Sequence, residues 1–191
     1  MNLPNKLSVL RILLIPVFVA VFFIKEIPLN FLIAAVIFLA ASFTDFIDGK
    51  IARKYNMVTN LGKFLDPIAD KVLVSTALII MLVPVGETTI LPWYGAIAVS
   101  VILARELMIS GFRTVAAARN LILAADKSGK TKTFFQDTAI LILLVGASVD
   151  KGLYSVTNII GLSVLGIASV LTVYSGARYI VKNFSVLKEN A

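Results

Sequence analysis

The sequence contains neither cysteine nor histidine. Without cysteine there are no disulfides, no thiolate metal sites and no cysteine nucleophile. Without histidine the commonest general base and the usual zinc ligand are missing. Acid–base chemistry therefore falls to Asp, Glu, Lys, Tyr or water. Charge is also sparse, at 15% of residues, and it leans basic, with 18 Lys and Arg against 11 Asp and Glu.

The remainder is largely apolar. The hydrophobic fraction is 59% and the mean hydropathy is +0.94, where soluble domains hold roughly 45–50% apolar residues. A soluble fold of 191 residues has too little interior to hide that surface, so lipid is the expected solvent. The length suits a single domain over 1–191. The net charge of +7 reads as membrane topology and anionic lipid or phosphate partners. Nucleic acid is not expected, because the basic residues have no soluble module to sit on. Lys6 and Arg11 precede an apolar stretch, but further apolar segments follow at once. The opening therefore reads as a retained first helix rather than a cleaved signal.

A spanning helix needs about 20 mostly apolar residues. Six segments fit: 6–24, 29–52, 62–83, 93–118, 132–149 and 154–181. Turn or polar signals separate them, among them Lys25-Glu26-Ile27-Pro28, Pro84 to Pro92 and Asp150-Lys151-Gly152. Pro16 is a candidate kink in the first helix. The expected fold is all-α, an integral membrane bundle of six transmembrane helices. With both termini cytoplasmic, the outer loops hold only Lys25 and Lys151, leaving 16 of the 18 basic residues to the inner side. That is the asymmetry of a multi-pass protein of the cytoplasmic membrane. Trp93 and Tyr94 then begin the fourth helix at the outer interface, and Arg178, Lys182 and Lys188 meet inner headgroups.

The chemistry concentrates in Asp45-Phe-Ile-Asp48-Gly49-Lys50-Ile51-Ala52-Arg53, followed by Gly62-Lys-Phe-Leu-Asp66-Pro-Ile-Ala-Asp70. Asp45 and Asp48 share one face of the second helix, and Asp66 and Asp70 one face of the third. The short link from Lys54 to Leu61 makes these helices antiparallel neighbours, so all four carboxylates can converge near the inner boundary. An acid at the centre of a membrane helix costs about 2.5–3.5 kcal/mol on insertion scales. Four together are tolerable in a wet cavity that binds cations. Hard oxygen donors favour Mg²⁺ or Mn²⁺, with two ions plausible if a pyrophosphate is bridged. Gly49 and Ala52 leave room for a nucleotide or a neighbouring backbone. Gly62 opens the third helix, whose amides and dipole favour phosphate, and Arg53 can pair with phosphate oxygens. The bland alternative makes these aspartates helix caps or ion-pair partners, and Asp66-Pro67 is itself a helix-start signal.

The pattern D-x-x-D-G-x-x-A-R-x(8)-G-x-x-x-D-x-x-x-D is met at every fixed position from Asp45 to Asp70. In this the chain resembles the CDP-alcohol phosphotransferases. The resemblance implies transfer of a phosphatidyl-type group from a CDP-linked lipid to an alcohol, with release of CMP. Carried over, Asp45, Asp48, Asp66 and Asp70 would ligate the metals, and Asp70 would also deprotonate the acceptor hydroxyl. Gly49, Ala52, Arg53 and Gly62 would contact the cytidine diphosphate. The resemblance also implies a homodimer, for which Gly95, Gly111, Gly146, Gly161, Gly166 and Gly176 are candidate close-packing positions.

Two looser stretches resemble bacterial phosphatidylglycerophosphate synthases: Met-Asn-Leu-Pro-Asn5-Lys-Leu-Ser8-Val-Leu-Arg11, and Ala104-Arg105-Glu106-Leu-Met-Ile-Ser110-Gly-Phe-Arg113. The implied substrates are CDP-diacylglycerol and sn-glycerol 3-phosphate, joined by in-line attack of the acceptor hydroxyl on the β-phosphorus. The acceptor phosphate needs cations, and Arg105, Arg113, Lys130 and Lys132 can supply them. Alternatives stay open at each position. Arg105 can simply neutralise Glu106. Asn5 and Ser8 can contact the CDP-lipid or merely cap the first helix, and Arg11 can snorkel to headgroups. Phosphatidylinositol-phosphate, phosphatidylserine and cardiolipin synthases share the aspartate pattern. A cation transporter also buries acids in a membrane, but it needs a path to both faces.

Overall fold

A computed structural model describes residues 2–54, 59–119, 121, 127–149 and 151–184, with side chains undescribed at 3–4, 45–54, 60–61, 63–64, 127–128 and 151–152. Six helices form among the described residues: α1 Leu3–Phe23, α2 Asn30–Lys54, α3 Asn60–Ile80, α4 Gly95–Ala118, α5 Lys127–Gly146 and α6 Lys151–Lys182. No strand forms among the described residues, only an isolated bridge between Val85 and Thr88.

Several helices begin before the apolar segments that announce them. Helix α5 starts five residues before 132 and α3 two residues before 62, because backbone hydrogen bonding continues into polar turns that hydropathy does not register. At α4 the reverse holds: Trp93 and Tyr94 precede the helix, which starts at Gly95. Both aromatics remain exposed, with rings edge-to-face.

Three helices carry windows long and apolar enough to cross a membrane: Asn5–Phe23, Gly95–Ala118 and Leu153–Lys182. No more than 28% of any of these windows is buried inside the protein, so most of their apolar surface faces outward, as lipid contact requires. The apolar part of α2, Asn30–Thr44, is shorter.

Tertiary contacts fix the alternation of the bundle. Arg11 of α1 meets Ala41 of α2, while Phe22 meets Phe31, so α1 and α2 run antiparallel. Ser8 of α1 meets Asp66 of α3, Lys71 of α3 meets Ser110 of α4 and Lys132 of α5 meets Glu106 of α4, all toward one end of the bundle. The sequence reading expects α2 and α3 as direct neighbours. They do touch, although α1 makes the more extensive contacts with both, while α2 leans on α5, α5 on α6 and α6 on α4.

Phe18, Phe22 and Phe38 are fully buried where α1 meets α2, and Phe18 and Phe38 stand 6.1 Å apart. Between lipid-solvated helices such packing gains dispersion rather than water release. Gly146 and Gly161 let α5 and α6 approach: an added Cβ would lie 2.5 Å from Thr157 Oγ1 and 2.7 Å from Leu143 Cγ. Gly111 and Gly166 have no described atom within 4 Å of such a Cβ. At the far end the chain between α3 and α4 folds back on itself. Gly86 takes φ +66°, Leu91 N–H donates to Met81 O at 2.9 Å, and Asn158 of α6 donates to Ile90 O.

Candidate active site

Helix α3 begins with Thr59 as N-cap, accepting from Gly62 N–H at 3.0 Å. The Thr59 hydroxyl donates in turn to Asn5 Oδ1 at 2.9 Å. Gly62 lies against this pair, and a Cβ there would stand 2.8 Å from Asn5 Oδ1. The glycine is thus required by the approach of α1, and its own amide is engaged by the cap. One turn on, Ser8 Oγ donates to Asp66 Oδ1 at 2.5 Å. Asn5 and Ser8 are both buried. Neither caps α1, whose N-cap is Asn2, without a side-chain hydrogen bond. Asp66-Pro67 does not start α3 either: the helix begins at Asn60 and Pro67 lies inside it.

Asp70, one turn beyond Asp66 on the same face, borders a cavity of about 220 Å³ between α3, α4, α5 and α6. Five cations line it (Lys71, Arg105, Arg113, Lys130 and Lys132) against two acids, Asp70 and Glu106. The excess of three positive charges suits a polyanion. Glu106 Oε1 receives Arg105 Nη1 at 2.9 Å and also Lys132 Nζ. Lys132 is only 4% exposed, a burial that an ammonium tolerates only when paired. Arg105 Nη2 donates to Ser175 Oγ at 3.2 Å, and Lys71 Nζ to Ser110 Oγ at 2.7 Å. Arg113 Nε donates to the Tyr179 hydroxyl at 3.2 Å, with its guanidinium carbon 5.3 Å from the ring centroid.

The expected acceptor-phosphate residues Arg105, Arg113, Lys130 and Lys132 thus line one cavity together with Asp70. Asn5, Ser8, Gly62 and Asp66 form an adjoining hydrogen-bonded cluster. Asp45, Asp48, Gly49, Ala52 and Arg53 lie on the last turns of α2, and their side chains fall outside the described residues. Arg11 does not snorkel: it is fully buried and its Nε donates to Ala41 O at 3.1 Å. The pairing of Arg105 with Glu106 is present, yet Arg105 also lines the cavity. Lys71, Ser110, Thr133, Ser175 and Tyr179 are lining residues that the sequence reading did not single out. The available signal was polarity at helical spacing, as in Ser175 and Tyr179 four residues apart in an apolar helix.

The donor chemistry fits a hard divalent cation. Asp66 and Asp70 offer carboxylate oxygens one turn apart, one already oriented by Ser8, in a chain without nitrogen or sulfur donors from His or Cys.

Fold and site together define a helical membrane protein with a cation-rich cavity beside paired carboxylates at one end of the bundle. The chain matches the CDP-alcohol phosphatidyltransferase family over residues 1–177, and it belongs to that family. It is 42% identical over 178 residues to a CDP-diacylglycerol–glycerol-3-phosphate 3-phosphatidyltransferase of Rickettsia bellii, covering 93% of each chain. The protein of that name from Bacillus subtilis is 39% identical over 199 residues, covering 98% of this chain and 97% of its own. A cardiolipin synthase (CMP-forming) of Oryza sativa is 34% identical over 98% of this chain but only 59% of its own.

Proposed function

We propose that the protein transfers the phosphatidyl group of CDP-diacylglycerol to sn-glycerol 3-phosphate, giving phosphatidylglycerol phosphate and CMP. The observation that carries this reading is the cavity in which Asp70 faces Arg105, Arg113, Lys130 and Lys132. A phosphate monoester there would place its hydroxyl arm toward Asp70. The names of the Rickettsia and Bacillus relatives support the same substrates.

In this reading Asp45, Asp48, Asp66 and Asp70 would hold Mg²⁺ or Mn²⁺, as one or two ions, which when bound offset the charge of the pyrophosphate. Asn5 and Ser8 would act on the CDP-lipid side through Gly62 and Asp66, with Gly49, Ala52 and Arg53 completing that side. Asp70 takes the proton of the acceptor's primary hydroxyl. The oxygen so freed bonds to the β-phosphorus as the bond to the CMP oxygen breaks, and CMP departs with that electron pair. The membrane reading extends to one domain over 1–191 with six spans, both termini and the site on the cytoplasmic face of the cytoplasmic membrane, and a homodimer. The alternation of the helices and the crowding of basic residues toward the site end support that orientation.

CMP release from purified protein with CDP-diacylglycerol and Mg²⁺ tests the reading, with glycerol 3-phosphate, inositol phosphate, inositol, serine and phosphatidylglycerol as acceptors. Release with glycerol 3-phosphate alone, lost in Asp70→Asn, is the expected result. Release with phosphatidylglycerol instead would transfer the assignment to the reaction named for the Oryza relative.

A further inference from the structure

Helix α6 brings no charged side chain to the cavity, only Ser175 and Tyr179, yet both arginines of α4 are docked on it. Arg105 reaches Ser175 Oγ at 3.2 Å and Arg113 reaches the Tyr179 hydroxyl at 3.2 Å. The two arginines are rooted eight residues apart, about 12 Å along a helix at 1.5 Å per residue. Their anchors are four residues apart, about 6 Å on the same scale. The docking therefore draws two guanidinium groups from positions two turns apart toward one turn of α6.

Gly176 completes the arrangement. A Cβ at this position would lie 3.0 Å from Arg105 Cγ and 3.3 Å from its Nε, so the arginine stem passes closely over the glycine and would have to give by a few tenths of an ångström to admit a methyl. Tyr179 is 4% exposed and packs edge-to-face on Phe112 of α4 at 6.0 Å, within a buried cluster that joins α4 to α6.

We propose that Ser175, Gly176 and Tyr179 are positioning residues that converge Arg105 and Arg113 on one acceptor phosphate. The inference rests on reading the cavity as the acceptor site. Long flexible guanidinium side chains lose rotamer freedom when they clamp a ligand. Anchoring them beforehand removes that cost from binding. The selectivity falls on acceptors that carry a phosphate monoester, since two converged forks bind its oxygens bidentately.

The test is steady-state kinetics of Tyr179→Phe and Ser175→Ala beside the unaltered enzyme, with thermal unfolding of each in detergent. Tyr179→Phe keeps the ring and its packing while removing the hydroxyl. Each variant is expected to raise KM for glycerol 3-phosphate roughly 3- to 10-fold, the range for one hydrogen bond of this kind. KM for CDP-diacylglycerol and the unfolding temperature stay unchanged, and inhibition by inorganic phosphate weakens by the same factor. An unchanged acceptor KM in both variants overturns the proposal, as does an equal rise in both substrates' KM. An unaltered enzyme that works with a non-phosphorylated acceptor and is insensitive to inorganic phosphate overturns the acceptor-site reading itself.

Discussion

Ser8 and Asp66, 58 residues apart in sequence, are joined by a hydrogen bond of 2.5 Å in which the buried serine hydroxyl donates to Oδ1. The bond fixes which way the carboxylate faces as α3 enters the site. If Asp66 ligates a metal, as proposed, an outer partner of this kind accounts for about 10–100-fold in metal affinity. Ser8→Ala is therefore expected to weaken Mn²⁺ binding by about that factor, read by electron paramagnetic resonance on purified protein. At saturating metal, KM for CDP-diacylglycerol should be near that of the unaltered enzyme. A rise in that KM with metal affinity intact would make Ser8 a substrate contact instead.

Asp70→Asn keeps the size of the side chain and removes its basicity. If Asp70 is the general base, as proposed, its loss lowers turnover by about 10²–10⁴-fold. The expected outcome is a fall in kcat of that order without change in the unfolding temperature. Chelation of divalent metal should abolish turnover of the unaltered protein, with Mg²⁺ or Mn²⁺ restoring it.

Gly62→Ala would set a methyl 2.8 Å from Asn5 Oδ1, forcing Asn5 away and breaking its bond from Thr59. A cost of about 1–2 kcal/mol in stability follows from one buried polar pair left unmade. Thermal unfolding of Gly62→Ala, Asn5→Ala and the double variant forms a cycle. The double variant should be less destabilised than the two single effects summed, because the second change removes the atom that the first one strikes.

Glu106→Gln leaves Arg105 and the buried Lys132 without their shared carboxylate. Removing one member of a buried ion pair costs about 3–5 kcal/mol. The low end, about 3 kcal/mol, applies because the Glu106 side chain keeps 18% exposure. A lower unfolding temperature and a higher KM for glycerol 3-phosphate are expected together. If Glu106 instead only competed with the acceptor phosphate, that KM would fall.

The aspartate ladder and its spacing, the apolar segments and the basic residues of the cavity were legible in the sequence, because helical periodicity turns spacing directly into a shared face. Arg105 and Lys132 could be named as phosphate partners from charge alone, but not their common dependence on Glu106. Arg11 was misread. A cation near the start of a segment is equally able to snorkel or to turn inward, and interior groups of the bundle, the Ala41 carbonyl of α2 among them, decide between them.

The sequence by itself determined the solvent, the all-helical class and the chemistry on offer. Composition and periodicity are local properties, and no packing can alter what a chain without His or Cys has to work with. Only the tertiary structure decided that α1 packs on both α2 and α3, that Ser8 serves Asp66, and that Ser175 and Tyr179 hold the two arginines. Those relationships join residues 58 to 70 positions apart. They depend on which helix faces press together, and between apolar helices in lipid that choice is made by shape and a few hydrogen bonds rather than by hydrophobicity.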